Sequence, residues 1–407
     1  MRLLVLSSWY PFPADNGSRL RAYYLLRELA NYHTIRLIAG VQNDTPEGYR
    51  NTPPPELREL CESVVAVPWK WHQAEGGGLS GALLSLFSIV PRSILETFDP
   101  DVLQTIQQST ASFAPEAVVV LELGMDMYRD GLPSGTPILI DQVEVSGSAR
   151  AYHEATGVLP RLRAQLTYEK SRKYWSDRLS CYHAVTAVSQ EEATAVRQVI
   201  GSGNPPVLVV PNGVNLAGYD NRDRDRMVPG RLLYNGAMTY TLNREAVLWF
   251  VREILPTVAQ AVPEAHLVVT GRYNEESVEE LLVNPRVHLT GFLPELTEIL
   301  AQSAVCVVPL LAGGGTRLKI LEAWAAGLPV VSTSIGAKGL EAKDGIHLLL
   351  GDNAETFAQQ TIALLRNSSQ AEQIADNARR YVTERFDWTA IGAQLSNHIE
   401  KMVTQTL

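Results

Sequence analysis

Gly313-Gly314-Gly315-Thr316-Arg317-Leu318-Lys319-Ile320-Leu321-Glu322-Ala323 comes shortly after an apolar run at 305–309, and the two together decide the fold class. The run reads as a buried strand. The residues beyond the glycines read as a helix, with Leu318, Leu321, Ala325 and Ala326 on one side. A helix that opens on glycines presents free N–H groups and the positive end of its dipole, the local condition for holding an anion. Arg317 and Lys319 add two full charges at that end, where cations oppose the macrodipole and cost stability unless an anion is present. Glu322, one turn on, can reach past such an anion to neighbouring hydroxyls. The stretch points to a pocket for a phosphate or diphosphate carried on a polyol. Its place after a late strand agrees, because ligands of open parallel sheets bind at the carboxyl ends of strands. Glycine-rich turns before helices are common, so the same residues also fit a solvated basic turn.

Outward from this stretch, short apolar runs alternate with helical spacing. In the first half, 3–6, 34–39, 63–67, 117–121, 138–140, 184–188 and 207–210 read as strands, and 19–30 and 162–179 as helices. The segment 212–231 is polar, rich in Asp, Arg and Gly, and has a linker's composition. A second array follows: strands at 231–234, 266–270, 287–289, 305–309, 328–332 and 347–350, a helix at 243–261, and a helical tail from 354 to 402. The alternation predicts an α/β fold with two doubly wound parallel sheets. A chain of 407 residues is also long enough for two domains. The expected division is 1–212 together with 388–407, and 213–387.

Bulk properties exclude several classes. The net charge of −9 argues against a nucleic-acid partner, which would call for a basic surface. Three widely spaced cysteines and eight scattered histidines form no metal-ligand pattern, so no metal is expected, and the cysteines suggest a reducing compartment. The opening apolar run, Leu3-Leu4-Val5-Leu6, is too short for a signal sequence and reads as a strand. The expected location is cytoplasmic, with peripheral attachment to the inner face of a membrane left open.

The motifs, taken in order, resemble the retaining family-4 glycosyltransferases of the GT-B fold over essentially the whole chain. The marks are Trp9-Tyr10-Pro11 and Asn16-Gly17-Ser18-Arg19, then Val188-Ser189 and Val210-Pro211-Asn212-Gly213-Val214. Tyr234-Asn235-Gly236, Val269-Thr270-Gly271-Arg272, Leu289-Thr290-Gly291-Phe292-Leu293, the stretch quoted first and Ala326-Gly327-Leu328-Pro329 complete the set. The resemblance implies two Rossmann-like domains facing across a cleft, with the final helix crossing back to the first. It further implies a nucleoside-diphosphate-sugar donor in the C-terminal half, a glycan or lipid-linked acceptor in the N-terminal half, and no cofactor.

Residue by residue, the resemblance gives Arg317 and Lys319 to the diphosphate. The amides of Gly314, Gly315 and Thr316 assist there, with Gly17 and Ser18 from the other domain. Glu322 would take the ribose hydroxyls. Phe292 and Leu293 would neighbour the nucleobase, or simply cover the sheet edge. The chain departs from the family pattern twice. The first carboxylate of the Glu–seven residues–Glu motif falls on Gly314. The basic pair that relatives carry after the first C-terminal strand is replaced by a segment running from Gly236 to Asn243, where Gly236 leaves backbone room and Asn243 is a candidate N-cap. Arg272 is a third candidate cation. On the acceptor side Asp141 or Glu144 can orient a hydroxyl, and Glu122 ends a neighbouring strand; each can equally cap a helix or sit solvated in a turn.

Two further stretches suggest a membrane partner. They are Pro68-Trp69-Lys70-Trp71 with the apolar 79–90, and the basic helix at 162–179; a buried helix with a solvated basic face is the alternative. The expected activity is metal-independent, retaining hexosyl transfer in polysaccharide or glycolipid synthesis. The resemblance implies that the departing phosphate takes the acceptor proton. The rivals are a sugar-nucleotide epimerase of the same shape, a non-catalytic sugar-nucleotide sensor and, more weakly, a dinucleotide-dependent oxidoreductase, since no Gly-x-Gly-x-x-Gly opens either half.

Overall fold

The computed structural model describes residues 1–69, 97–201, 205–219, 226–313 and 317–406. The chain divides into two compact units, Met1–Pro211 with Ile391–Leu407, and Asn212–Ala390.

The first unit is built on Arg2–Ser7 (β1), Thr34–Val41 (β2), Ser63–Pro68 (β3), Ala117–Leu121 (β4), Ile138–Asp141 (β5), Ala184–Ala187 (β6) and Val207–Val209 (β7). They form one sheet in the order β3-β2-β1-β4-β5-β6-β7. Every pairing in it is parallel. The strands are near-continuous apolar runs because helices cover both faces: all five residues of Ala-Val-Val-Val-Leu in β4 are buried. The helix after β1 runs Gly17–Ala30 and starts two residues before the apolar spacing does, because the Asn16 side chain caps the Arg19 N–H.

The second unit repeats the plan with Arg231–Asn235 (β8), His266–Thr270 (β9), Val287–Gly291 (β10), Val305–Val308 (β11), Val330–Ser332 (β12) and Leu349–Leu350 (β13). These pair in parallel in the order β10-β9-β8-β11-β12-β13. Alternate residues of one strand feed two cores. Leu232 and Tyr234 pack with Val247, Phe250 and Phe357, while Leu233 packs with Trp324, Val382 and Phe386. The expected α/β class with two Rossmann-like sheets is what forms. In each sheet the order reverses at the first strand: β1 lies between β2 and β4, and β8 between β9 and β11. Such a switch point opens a crevice at the strands' carboxyl ends.

The helix expected at 243–261 is interrupted. It runs Thr241–Trp249, widens to a π-helical turn at Phe250–Ile254, and resumes as Leu255–Ala261. Pro256 has no N–H to give and its ring crowds the carbonyl one turn back, which accounts for the break. The last helix, Trp388–Thr406, buries Ile391, Leu395, Ile399 and Met402 along one stripe. His33 Nε2 lies 2.8 Å from Ser396 Oγ, and a Cβ on Gly392 would meet Glu28 Cβ at 2.1 Å, so glycine is required where this helix meets Gly17–Ala30.

Candidate functional site

At the carboxyl end of β8 the chain reads Tyr234-Asn235-Gly236, and the switch point there gathers side chains from β8, β9 and the helix Leu318–Ala325. Lys319 is the second residue of that helix. Its Nζ donates to the Tyr234 hydroxyl oxygen at 2.7 Å and to Asn243 Oδ1 at 3.1 Å, and lies 4.0 Å from the Tyr234 ring centroid. The Tyr234 hydroxyl donates in turn to Asn243 Oδ1 at 2.7 Å, and Asn243 Nδ2 donates to the Ala237 carbonyl at 3.0 Å. Burial, the largest influence, draws the Lys319 amine down from 10.5 to about 7, and the nearby Arg317 adds to the fall. Burial also pushes the Tyr234 hydroxyl well up, so it serves as a neutral hydrogen-bonding group. A cation has been placed where charge is disfavoured and the two oxygens it donates to are neutral. An incoming anion would restore that charge.

Gly236 is fixed by this arrangement. A Cβ there would stand 2.9 Å from Lys319 Nζ and 3.0 Å from Asn243 Nδ2. Gly271, at φ 111°, would bring a Cβ to 2.7 Å from the Gly236 backbone. The two loops after β8 and β9 therefore touch main chain to main chain, and any side chain at Gly271 is both clashing and strained.

Glu322 lies one turn beyond Lys319. Its Oε2 accepts from Asn235 Nδ2 at 2.7 Å, and Asn235 Oδ1 accepts from Thr270 Oγ1 at 2.8 Å. Asn235 and Thr270 are directly paired between β8 and β9, so the parallel register builds this relay. Burial lifts the Glu322 carboxyl to about 7, against the opposing pull of the Asn235 hydrogen bond and the Lys319 amine. Asn235 and Thr270 carry roles that motif reading passed over. The signal available was their position: each is the last residue of a strand at the switch point.

Other sequence-derived residues fall out differently. Arg317 precedes the helix as its N-cap residue rather than lying inside the first turn, and its Nη2 donates to the carbonyls of Gly313 (2.9 Å) and Ile335 (3.1 Å). Asn243 is not an N-cap; Tyr240 holds that position, and the Asn243 side chain turns to Lys319 and Tyr234 because the helix begins two residues earlier. Arg272, Phe292 and Leu293 form a second group at the ends of β9 and β10, with the Arg272 guanidinium 5.1 Å from the Phe292 ring centroid and Phe292 exposed. Gly314, Gly315 and Thr316 lie outside the described residues, as do Lys70, Trp71, 79–90 and the 220–225 part of the linker.

In the first unit, Gly17 and Ser18 open a helix at the carboxyl edge of β1. Ser18 hydrogen-bonds Glu122, which directly follows β4 and also accepts from Ser8 Oγ at 2.5 Å. Glu122 has φ 69°, a left-handed conformation uncommon outside glycine, and burial raises its carboxyl. Asp141 is fully engaged. Arg21 grips both of its oxygens at 2.7 Å, and Thr186 Oγ1 adds a third bond at 2.5 Å. Arg21 continues to the carbonyls of Val210 (3.0 Å) and Pro211 (3.1 Å). This buried pair thus ties β5 and β6 to the chain leaving the unit, and Glu144 beside it is exposed. Among the described residues there is no cluster of His, Cys, Asp or Glu able to hold a metal ion.

Residues 229–367, which contain the whole Lys319–Glu322 constellation, match the family model described as Glycosyl transferases group 1. Over this segment the chain is similar to that family. Over 400 residues the chain is 27% identical to a 44.6 kDa protein in the cps region of Klebsiella pneumoniae, covering 95% of this chain and 96% of that one. It is 26% identical to the phosphatidyl-myo-inositol mannosyltransferase of Mycobacterium leprae across 48% of this chain and 54% of the relative. The fold matches that of Anabaena HepE, solved in complex with UDP and glucose, with a TM-score of 0.66 at 15% identity over 98% of this chain and 100% of that one. The two parallel sheets are those of the GT-B fold.

Proposed function

We propose that this chain is a retaining glycosyltransferase of the family-4 type. It moves a hexosyl group from a nucleoside-diphosphate sugar to an acceptor hydroxyl, in polysaccharide or glycolipid synthesis. The observation that carries the reading is the Lys319 amine, drawn down to about 7 by burial and set at a switch point where the oxygens it donates to, on Tyr234 and Asn243, are both neutral. A diphosphate is the ligand that such an amine lacks. On this reading Lys319 and Arg317 neutralise the charge that develops as the sugar–phosphate bond breaks, and they supply preorganised stabilisation of the leaving group. Glu322, oriented by Asn235, accepts the ribose hydroxyls. Arg272 and Phe292 neighbour the nucleobase. The acceptor oxygen bonds to the anomeric carbon on the face that the phosphate leaves, and its proton passes to the departing phosphate oxygen. The relatives' names agree, since one is a mannosyltransferase and another was solved with UDP and glucose.

The test is a thermal-shift screen against UDP-, GDP- and TDP-sugars, followed by transfer assays with the stabilising donor and NMR of the product's anomeric configuration. Lys319→Ala is expected to abolish transfer and leave the circular dichroism unchanged. Wild-type turnover in that variant removes the diphosphate argument. Epimer formation without acceptor, or tight donor binding with no turnover across an acceptor panel, replaces transfer by epimerisation or sensing.

A further inference from the structure

Two neighbouring strands of the first sheet run out into residues held in uncommon backbone conformations. β4 and β5 pair with Leu121 opposite Asp141, so Glu122 and Gln142 leave the sheet side by side. Both have positive φ, 69° and 56°, and neither is a glycine. With ψ at 152°, Glu122 lies in a region of backbone space that is essentially glycine's alone, so its conformation is a standing cost. Burial adds a second cost by disfavouring the charge of its carboxyl. The turn itself requires neither. The Glu122 N–H reaches the Asp141 carbonyl at 3.1 Å, a bond that any residue but proline can make, and glycine would follow the same path without strain. Strained residues of this kind gather where a side chain has to be held at one place for a ligand.

Both side chains line one small pocket, together with Trp9 and Ser18. The Glu122 carboxyl accepts from Ser8 Oγ at 2.5 Å and from Ser18, which fix it and leave it with acceptor capacity to spare. The Gln142 N–H is taken up by Thr186 Oγ1 at 3.2 Å, but its half-buried carboxamide meets no hydrogen-bond partner among the described residues. Asp141, on the same pocket, is already engaged by Arg21 and Thr186. Trp9 is held from behind. The Arg19 guanidinium lies 5.5 Å from its ring centroid, and Arg19 is buried and fixed by Asp15 at 2.9 Å and Asp44 at 2.5 Å.

These groups select a ligand class. A carboxylate repels phosphate, so the pocket is not a second anion site. Adjacent strands lie about 4.8 Å apart, which lets a carboxyl on one and a carboxamide on the next reach neighbouring hydroxyls of one small ring. An indole beside them offers an apolar face to the ring's C–H groups. We propose that Trp9, Glu122 and Gln142 form a subsite for a neutral pyranose, with Glu122 and Gln142 binding adjacent hydroxyls and the Trp9 indole covering the apolar face of the ring. Assigning that pyranose to the acceptor rests on the proposed transfer reaction; the sugar subsite itself does not.

The test is titration of the full chain, followed by saturation-transfer NMR, with the methyl glycosides of glucose, galactose and mannose and their monodeoxy analogues, each with and without UDP. One parent glycoside is expected to bind, and to weaken at least about tenfold when either of two neighbouring hydroxyls is removed. Glu122→Gly relieves the backbone, so its denaturant midpoint should match or exceed that of wild type. The same variant should bind the parent glycoside at least about tenfold more weakly, yet bind the analogue lacking the Glu122-bound hydroxyl within about twofold of wild type. Gln142→Ala should give the same pattern for the neighbouring hydroxyl. Lys319→Ala should bind the glycoside as wild type does, so that a wrong donor assignment leaves this outcome unchanged. Three results overturn the proposal: no glycoside binding with or without UDP, equal weakening of parent and deoxy analogue in Glu122→Gly, or a Glu122→Gly variant that loses stability and keeps the glycoside. In the last case the carboxyl would serve only to tie Ser8 to Ser18.

Discussion

If a diphosphate restores the charge on Lys319, nucleotide-sugar binding must move protons, and the number moved can be worked out from the site. With the amine at about 7, Lys319 in the free protein is only about one-tenth protonated at pH 8. A bound diphosphate, negatively charged on both phosphates, should hold it fully charged, so binding at pH 8 takes up about 0.9 proton per nucleotide sugar. Glu322 works in the other direction. With its carboxyl at about 7 it is about nine-tenths protonated at pH 6, and it must ionise to accept the ribose hydroxyls, so binding at pH 6 releases about 0.9 proton. Net exchange should change sign near pH 7. Affinity should peak there and weaken about threefold one pH unit to either side, because the form with Lys319 charged and Glu322 ionised falls from about one-quarter to about one-twelfth. The assay is isothermal titration calorimetry at pH 6, 7 and 8, each in two buffers of different ionisation enthalpy. Lys319→Met should remove the uptake at pH 8 and keep the release at pH 6. Zero exchange at pH 8 in the wild type, or an uptake that survives Lys319→Met, would refute the reasoning, because the amine would then not be the group that meets the phosphates.

Three other outcomes follow from the same geometry. In the ligand-free protein a lysine with a lowered pKa costs stability at every pH below its folded value and is relieved as pH rises from about 7 towards 10.5; Lys319→Met should therefore stabilise by about 2 kcal/mol at pH 6, with the gain shrinking above pH 8 in denaturant titrations. Gly236→Ala places a methyl 2.9 Å from Lys319 Nζ; donor affinity should fall at least about tenfold while the denaturant midpoint changes little, and unchanged affinity would show that the ammonium moves freely. Arg21→Met leaves the Asp141 carboxylate buried without its partner and frees the carbonyls of Val210 and Pro211; a loss of about 3–5 kcal/mol in unfolding free energy is expected, and a loss under 1 would show that Thr186 and water suffice.

What the sequence determined by itself was local. Apolar runs such as Ala-Val-Val-Val-Leu at β4 and Val-Cys-Val-Val at β11 read as strands buried on both faces, and their alternation with helices requires two parallel sheets. The run Gly313-Gly314-Gly315, with Lys319 and Glu322 one turn apart just beyond it, was visible as a phosphate-and-polyol pattern before any fold was known. Periodicity and turn chemistry act over a few residues, so a linear reading can recover them. Tertiary structure decided the state and company of those residues. Lys319 meets Tyr234 across 85 positions, Asn235 meets Glu322 across 87, and Arg21 meets Asp141 across 120. No local pattern specifies these meetings; sheet order and register do. The same holds for the pKa values of Lys319 and Glu322. Burial moves both towards 7, and burial belongs to the packed unit rather than to any stretch of chain. The leucines of Val158–Leu179 show the same limit: the sequence left a buried helix open as an alternative, and the structure exposes Leu162 and Leu166 while Tyr174 and Arg178 pack on the other side.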